Sequence, residues 1–341
     1  MNGGEPPKAR ATLADVARTA GTSVPTVSKV LRGGTDVSPM MRTRVMDAVR
    51  HVGYSRSAHA GAEEDPAPLI DLVMNHVHGT WANGVLTGVE HVATEANLDV
   101  VITIVREGRD WVTRLLRRPS RGAIVVLVDP TSSQLATLEG ARRRVVLVTP
   151  MSEPQSDVSR VGVTNWDGGR AAAEHLLGLG HRRFTVIAGE RGHLYSRARV
   201  DGFRSALTSA GLGRCEVVHA DWDRELAASA AFRALEASSP PTAVFACSDV
   251  MAVGVYDAAA RLGLEIPGDV SVVGFDDVPE ARWAVPAMTT IRQPITEMGA
   301  VATQMLLTPA NPSSPSTQAV ARVDLATSLI VRASTGAPRM R

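Results

Sequence analysis

The chain has 341 residues, a formal net charge of +1, 44% hydrophobic residues and 4% aromatic residues. This length exceeds that of one ordinary domain, and the sequence has no run of about 20 apolar residues that could span a membrane. The first residues have no apolar core of the kind that signal peptides carry, so we expect a multidomain cytoplasmic protein.

The first predicted elements are two short helices joined by a turn at Gly21. Thr12 and Asp15 stand at the spacing of a capping box, which favours a helix start at this point. Gly21 suits the left-handed backbone that ends such a helix. Ser23 is the predicted N-cap of the second helix, and Pro25 lies in its first turn, where the missing N–H costs little. This arrangement is a helix-turn-helix, whose second helix can lie in the major groove of DNA.

A third helix is predicted to begin at Ser38 and Pro39 and to end at Gly53. Residues 1–60 contain nine Lys/Arg and four Asp/Glu, whereas the remaining residues contain 27 and 31, so the positive charge is concentrated where DNA would bind. The spacing of the predicted helices alone does not establish DNA binding. It also fits a second interpretation, a small helical domain that binds protein or nothing. The arginines expected to contact phosphates without reading the base sequence are Arg10, Arg42, Arg44, Arg50 and Arg56.

The runs TLADVARTAGTSVPTVSKVL and VSPMMRTRVMDAVRHVGY resemble the N-terminal domain of the LacI/GalR-type family of bacterial transcription regulators. The resemblance implies that the start of the second helix reads base edges and that hydroxyl side chains at the helix starts bind phosphates. Base contacts are implied for Val24, Pro25, Thr26, Ser28 and Lys29, and phosphate contacts for Thr12, Ser23 and Ser38.

Residues 57–68 form a small, polar, proline-bounded segment, which predicts a linker after a DNA-binding domain at residues 1–56. In the family this position holds a hinge helix that inserts a leucine into the minor groove. Here no leucine lies between Tyr54 and Leu69, and Glu63 stands at the corresponding position. A carboxylate is repelled by phosphate and cannot act as a wedge between bases, so we expect weaker bending of the DNA than is usual in the family.

From Leu69 onwards, short runs rich in Val and Ile alternate with amphipathic segments. This alternation predicts an α/β body with parallel strands and with helices on both faces of each sheet. The predicted strands are LIDLVMN, DVVITIV, GAIVVLVD, RVVLVTP, FTVIAGE, CEVVHAD, AVFACSD and VSVVGFDD. The predicted helices include 82–96, 167–179, 197–210, 225–237 and 250–262.

This part of the sequence resembles the two-lobed, type I periplasmic-binding-protein fold that forms the effector domain of the same family. The segments that carry the resemblance are HLLGLGHRRFTVIAG, SRARVDGFRSAL, AVFACSDVMAVGV, IPGDVSVVGFDDVPEA and MTTIRQP. It implies an effector-binding and dimerisation domain at 69–335. The first lobe is expected at 69–164 and 294–322, and the second at 165–291 and 323–335. Ligands of such folds bind at the carboxyl ends of the strands, so the effector is expected in the cleft between the lobes.

A sugar effector would need polar side chains for its hydroxyls and an aromatic surface for its C–H faces. The resemblance implies that Arg199 grips the ligand and that Asp276 accepts hydroxyl groups from it. The candidate effector contacts are Asn75, Trp81, Trp166, Arg199, Trp222, Ser248, Asp276 and Gln293. Core packing is the alternative for every tryptophan, and Trp111 and Trp283 are assigned to packing or an interface.

Other polar residues near the strand ends have different expected roles. Asn165 is a further candidate at the crossing between the lobes. Asp249 is expected to cap the helix that follows it, and Asp277 suits the same role after the next strand. His76 and His78 are expected to be solvated loop residues, because two histidines alone are poor evidence for a metal site.

The sequence contains no nucleophile elbow, no Walker A run and no dinucleotide-binding glycine motif. Cys215 and Cys247 fit no metal spacing and are expected to be ordinary core or surface residues. We therefore expect no enzyme, no cofactor and no metal. The favoured function is a homodimeric repressor that leaves its operator when a sugar binds. The alternatives are a regulator that needs a corepressor, a solute-binding transport protein, and a sugar-binding α/β enzyme fused to a DNA-binding domain.

Overall fold

The computed structural model of the protein describes residues 12–31, 37–52, 68–154, 157–213, 215–308 and 320–339. The chain divides into two compact units, Met1–Asp65 and Pro66–Arg341, which we call the head and the body. The predicted residues that lie outside the described ranges are Arg10, Gly53, Arg56, Glu63, the rest of the linker before Pro68, and the side chain of Arg50. Weak bending of the DNA therefore stays a prediction.

The head consists of three helices, α1 Leu13–Ala20, α2 Val24–Leu31 and α3 Pro39–Val52. The predicted capping box is present at the start of α1. The Thr12 hydroxyl accepts a hydrogen bond from the N–H of Asp15, and the Asp15 carboxylate accepts one from the N–H of Thr12. Gly21 ends α1 with a φ of +60°. Each helix contributes a fully buried valine to one shared core: Val16, Val27 and Val45. The helix-turn-helix prediction is confirmed.

The body is an α/β unit. Its described strands are β1 Leu69–Met74, β2 Asp99–Ile104, β3 Gly122–Val126, β4 Arg144–Val148, β5 Ser159–Val163, β6 Phe184–Ala188, β7 Glu216–His219, β8 Ala243–Ala246, β9 Ser271–Asp276, β10 Thr289–Arg292, β11 Arg322–Leu325 and β12 Ser328–Ile330. Its described helices are α4 Thr80–Glu95, α5 Trp111–Leu116, α6 Ser132–Gly140, α7 Asn165–Gly178, α8 Leu194–Ser209, α9 Arg224–Glu236, α10 Asp249–Arg261, α11 Pro279–Trp283 and α12 Ile295–Leu307.

Each lobe of the body contains one six-stranded sheet. The strand order is β11-β5-β4-β3-β1-β2 in the first lobe and β12-β10-β9-β8-β6-β7 in the second. Neighbouring strands run parallel, except that β12 is antiparallel to β10. All eight predicted strand segments form strands, and the predicted α/β architecture is confirmed. The helices α5, α6, α11 and α12 were not among those predicted.

Helices cover the sheets because the strands are apolar on both faces. In the first lobe, α4 and α12 pack over one face, where Leu72 and Met298 are buried. On the other face Val73 packs with Trp111 of α5, so the assignment of Trp111 to packing agrees with its position. In the second lobe, α7 packs with α8 and α9 with α10, around a core that includes Phe203 and Phe275.

The chain crosses between the lobes three times, after β5, after β10 and after β11. The third crossing differs from the predicted boundary between residues 322 and 323. All of β11 pairs in parallel with β5 of the first sheet, so the change of lobe falls at residues 326–327, before β12. The sequence could not place this point, because β11 and β12 are short and only two residues apart. Among the described helices, none combines the length and the apolar character needed to cross a membrane.

Candidate DNA-binding surface and effector cleft

Each helix of the head begins with an exposed hydroxyl side chain. Besides Thr12 at α1, the Ser23 hydroxyl accepts a hydrogen bond from the N–H of Thr26 at 3.4 Å, and the Ser38 hydroxyl accepts one from the N–H of Met41 at 3.3 Å. Helix N-termini carry free N–H groups and a positive partial charge, which together favour phosphate. The three residues predicted to contact phosphates therefore lie at positions suited to anions.

The outer face of α2 presents small and polar side chains. Val24, Pro25 and Lys29 are exposed, and Thr26 and Ser28 are half-buried, while the other face packs into the core of the head. Small side chains let a helix approach base edges closely, as reading of the major groove requires.

Arg44 has a role within the head that the sequence analysis did not anticipate. Its guanidinium donates a hydrogen bond to the carbonyl oxygen of Ala20 at 2.8 Å. A cation at the C-terminal end of a helix offsets the negative end of the helix dipole. Arg44 therefore stabilises the turn after α1, a role beyond the phosphate contact that the sequence predicts.

In the body, Arg199 of α8 forms the centre of a buried polar cluster in the second lobe. It is 3% exposed; its Nε donates to the Asn165 side-chain oxygen at 2.8 Å, and its Nη1 donates to the Cys247 carbonyl at 2.6 Å. The guanidinium lies 3.7 Å from the ring centre of Phe275 and 3.6 Å from a carboxylate oxygen of Asp276. Burial lowers the pKa of Arg199, and the nearby Asp276 partly restores it. We call these five residues the Arg199 cluster.

Asp276 ends β9 and accepts a hydrogen bond from the side chain of Gln293. Burial raises the pKa of Asp276 to about 6, against the opposing effects of Arg199 and of the hydrogen bond from Gln293. Its φ of +124° is unusual for a residue with a side chain, and such backbone geometry is concentrated at functional sites. The cluster thus contains a carboxyl group that changes its charge near pH 6, close to neutral pH.

The helix cap expected at Asp249 is provided by Ser248 in the structure. The Ser248 hydroxyl caps α10 by accepting a hydrogen bond from the N–H of Met251 at 3.2 Å. Asp249 is fully buried and instead accepts hydrogen bonds from the N–H of Val278 at 3.0 Å and from the Thr290 hydroxyl at 2.5 Å. Burial, with the charge of Asp276 second, raises the pKa of Asp249 well above its usual value. Asp249 therefore connects three elements behind the site.

Asp277 was also expected to be a helix cap, and this was wrong. The residue before α11 is Val278, which offers no side-chain cap. The Asp277 carboxylate forms ion pairs with Arg292 at 2.6 Å and with Arg332 at 2.5 Å. Its partners come from β10, from the segment after β12 and, through Arg282 at 3.8 Å, from α11, so Asp277 ties the end of β9 to its neighbours.

An aromatic group lies beside the Arg199 cluster. The Trp222 indole N–H donates to Nδ1 of His193 at 3.0 Å, and the Tyr195 hydroxyl lies 3.0 Å from the same atom. The Tyr195 and Trp222 ring centres are 5.1 Å apart, and both rings lie within 6 Å of the Arg199 guanidinium. Burial raises the pKa of Tyr195, so its hydroxyl stays protonated as a hydrogen-bond donor. Trp222 packs against Gly189, where an added Cβ would overlap the indole.

The two lobes touch on both sides of this region. The Thr80 hydroxyl of α4 donates to the Glu280 carboxylate of α11, at 3.0 and 3.2 Å to its two oxygens. The backbone N–H of Leu194 donates to the carbonyl of Met151 at 2.8 Å, and the Met151 N–H donates to Asp129 at 2.8 Å. Asp129 also acts electrostatically on Tyr195. The carboxyl ends of both sheets therefore meet at one cleft, as the sequence implied.

Two family models match the chain. The model described as bacterial regulatory proteins of the lacI family covers residues 12–57, and a periplasmic binding protein-like domain covers 173–335. The HTH-type transcriptional repressor PurR of Proteus mirabilis is 30% identical over 305 residues, which cover 87% of this chain and 89% of PurR. The chain belongs to the LacI family of bacterial transcriptional regulators.

Other LacI-family proteins are similar to this chain over nearly its whole length. The ribose operon repressor of Haemophilus influenzae is 30% identical over 304 residues, covering 87% of this chain and 91% of that repressor. The solved Lac repressor dimer bound to operator and the anti-inducer ONPF is 26% identical with a TM-score of 0.75, covering 96% of this chain and 100% of that one. The CelR–cellobiose complex is 29% identical with a TM-score of 0.71, covering 95% and 100%. Members of this family bind operator DNA and small-molecule effectors, and this chain is a ligand-responsive transcriptional repressor of that type.

Within this LacI-family body, the predicted effector residues divide into four groups. Arg199, Asp276, Gln293 and Trp222 are brought together. Asn75 follows β1, and Trp81 is half-buried against the core of the first lobe. Ser248 is used as a helix cap. Trp166 is 39% exposed and packs its ring on Arg170 at 5.6 Å, apart from the rings around Arg199.

Three residues of the site were missed in the sequence. His193 and Tyr195 lie in and after a polar loop, and Asp129 follows a strand in the other lobe. The position of Asp129 just after a strand was a usable signal, because ligands of such folds bind at the carboxyl ends of the strands. His76 and His78 stack on each other with ring centres 4.4 Å apart, and no metal-binding group of three or more ligands occurs among the described residues.

Asp276 makes the folding stability depend on pH. Its pKa rises from 3.8 to about 6 on folding, so the folded state holds this proton more tightly. The resulting stabilisation is complete below about pH 4 and is lost as the pH rises through about 6. We expect the free energy of unfolding to fall by about 2–3 kcal/mol more between pH 4 and pH 7 in the wild type than in Asp276→Asn. Urea unfolding at both pH values measures this difference, and equal slopes in the two proteins would contradict it.

Proposed function

We propose that the interlobe cleft binds a carbohydrate effector and that the bound effector lowers the affinity of this repressor for its operator. The observation that carries the proposal is the Arg199 cluster beside the adjacent rings of Tyr195 and Trp222. Buried charged groups can donate to and accept from the hydroxyls of a sugar, and aromatic faces can pack against its C–H groups. The ribose operon repressor and the CelR–cellobiose complex, whose names refer to sugars, support this class of ligand.

The contacts across the cleft provide a route by which effector binding can change operator binding. The Thr80–Glu280 and Met151–Leu194 hydrogen bonds join the lobes beside the cluster. A ligand held between the lobes changes the free energy of closing them, and this changes the spacing available to the two heads of a dimer. Such coupling between two sites typically amounts to about 1–3 kcal/mol and is reciprocal.

We propose further that the functional unit is a homodimer, since the solved Lac repressor is a dimer on its operator. Two apolar surfaces of the body suit a second copy of the chain. Trp283 and Val285, between α11 and β10, are 73% and 90% exposed, and Ile102 on the edge strand β2 is 40% exposed. Exposed apolar groups of this size favour an interface with another protein surface.

Replacing Trp283 with aspartate is expected to shift the protein from dimer to monomer. A buried, unpaired carboxylate at a subunit interface costs several kcal/mol, which is enough to weaken association by more than about 100-fold. Sedimentation velocity at several concentrations measures the change. Trp166→Asp is the control, because Trp166 is also an exposed tryptophan of the second lobe; a stable dimer in Trp283→Asp would remove this surface from the interface.

The experiment that tests the effector is thermal unfolding of the protein with a panel of mono- and oligosaccharides, with purine bases as controls. A ligand at 100 times its dissociation constant stabilises the folded state by about 2.7 kcal/mol. The stabilising sugar is then added to the complex with operator DNA. Release of the DNA supports the proposal, tighter binding identifies the sugar as a corepressor, and stabilisation by purine bases alone would refute a carbohydrate effector.

A further inference from the structure

We propose that the second lobe carries a separate site for a phosphoryl group, either free phosphate or the phosphate of a small metabolite. The site is a groove between α8 and the edge strand β7, with a volume of about 330 Å³. That volume lies within the range of small-molecule sites. We call it the α8–β7 groove; its lining includes Arg191, Ser196, Arg197, Arg204, Val217 and His219.

The charge of the groove favours a dianion. Three arginines line it, and Asp201 is the single acidic residue of the lining. Arg191, Arg197 and Arg204 form no ion pair with any carboxylate among the residues that the structure describes; Arg204 also faces the Cys215 thiol. Guanidinium groups bind phosphate oxygens through paired hydrogen bonds, and arginines not engaged with carboxylates are free to do so.

Ser196 supplies the second, independent observation. Its side chain is buried, with the residue 1% exposed, and its hydroxyl has no hydrogen-bond partner in the described structure. A buried hydroxyl without a partner is costly, and such groups are rare in native proteins. Ser196 lies in the first turn of α8, which has neither a side-chain cap nor an acidic residue. An anion at this end of the helix would satisfy the hydroxyl and the positive end of the helix dipole together.

The groove is distinct from the cleft that contains Arg199. Ser196, Val200 and Arg204 of α8 line the groove, and Val200 also packs into the core of the second lobe. Arg199 is not part of the lining, because its guanidinium is bonded to Asn165 and to the Cys247 carbonyl. On the β7 side, the ring of His219 lines the groove and donates a hydrogen bond through Nδ1 to the carbonyl of Gly189 at 2.5 Å. The phosphoryl site therefore does not depend on a carbohydrate effector in the cleft.

The test is thermal unfolding of the full chain titrated with inorganic phosphate and, separately, with glucose 6-phosphate, against sodium chloride and glucose at matched ionic strength. We expect a concentration-dependent rise in melting temperature with at least one of the two phosphate compounds. Arg204→Gln and Ser196→Ala are each expected to weaken the apparent affinity about tenfold or more, since each removes a hydrogen bond to a charged ligand. Arg233→Gln, an exposed arginine on α9, is the matched control and should bind as the wild type does.

The two variants also distinguish a ligand site from a structural role. Ser196→Ala removes an unpartnered hydroxyl, so without phosphate its melting temperature should be equal to or above that of the wild type. Stabilisation by phosphate assigns the site to the free anion, and stabilisation by glucose 6-phosphate alone assigns it to a metabolite. No stabilisation by either compound, or stabilisation that both groove variants retain in full, would overturn the proposal.

Discussion

Replacing Arg199 with methionine is expected to abolish the response of operator binding to the effector and to lower the free energy of unfolding by about 3–5 kcal/mol. Methionine keeps much of the volume and the contact with Phe275. It removes the donors to Asn165 and Cys247 and leaves Asp276 without its cation. Removing one partner of a buried ion pair is costly because the other charge remains largely buried without a counter-charge. Operator affinity measured without effector should be unchanged, because the head is a separate compact unit.

A double variant separates stability from function at this site. Arg199→Met with Asp276→Asn contains no uncompensated charge, so it should recover part of the lost stability. It should not recover the response to the sugar, because both groups proposed to bind it are gone. Urea unfolding and fluorescence anisotropy of labelled operator provide the two measurements. Arg233→Gln, which changes an exposed arginine of α9 outside both the Arg199 cluster and the α8–β7 groove, is the control. A normal dose-response in Arg199→Met would remove Arg199 from the effector site.

The fold could be predicted because its signals are local and repeated. The strands of the body are short apolar runs between polar loops, and the first helix of the head has a capping box at its start and a left-handed glycine at its end. The helices α5 and α11 have only six and five residues, too few for a periodic pattern to emerge. The position of β11 was fixed by pairing with β5, a partner more than 150 residues earlier in the chain.

The effector site could be predicted only at residues that stand in a family-like segment or belong to a rare residue type. Arg199 and Asp276 stand in segments that resemble the family, and Trp222 is one of five tryptophans. The role of His193 arises from tertiary contacts, because its partners Tyr195 and Trp222 come from α8 and from the loop after β7. Ser248 and Asp249 are adjacent and both suit a helix start. Thr290, 41 positions later, supplies the hydroxyl that draws Asp249 away from the cap.

Replacing Gly169 with alanine is expected to destabilise the body by about 3 kcal/mol or more and to weaken the effector response at the same time. Gly169 lies where α7 crosses α8, and an added Cβ would overlap the backbone carbonyl of Arg199. Backbone cannot move aside as a flexible side chain can, so the two helices would have to separate. Gly202 faces the carbonyl of Trp166 in the same way. Neither helix therefore has room for an added Cβ at the crossing.

The crossing of α7 and α8 fixes the position of Arg199 itself. The Gly169→Ala substitution should therefore disturb the Arg199 cluster as well as the core. Gly178→Ala, near the end of the same helix, is the matched control. No atom lies within 4 Å of a Cβ at Gly178, and alanine there should stabilise the protein by about 0.4–1 kcal/mol. Thermal unfolding of the two variants, followed by the effector titration, measures both effects. If Gly169→Ala were as stable as Gly178→Ala, the helices could adjust freely, and close packing at the crossing would not be what positions the Arg199 side chain.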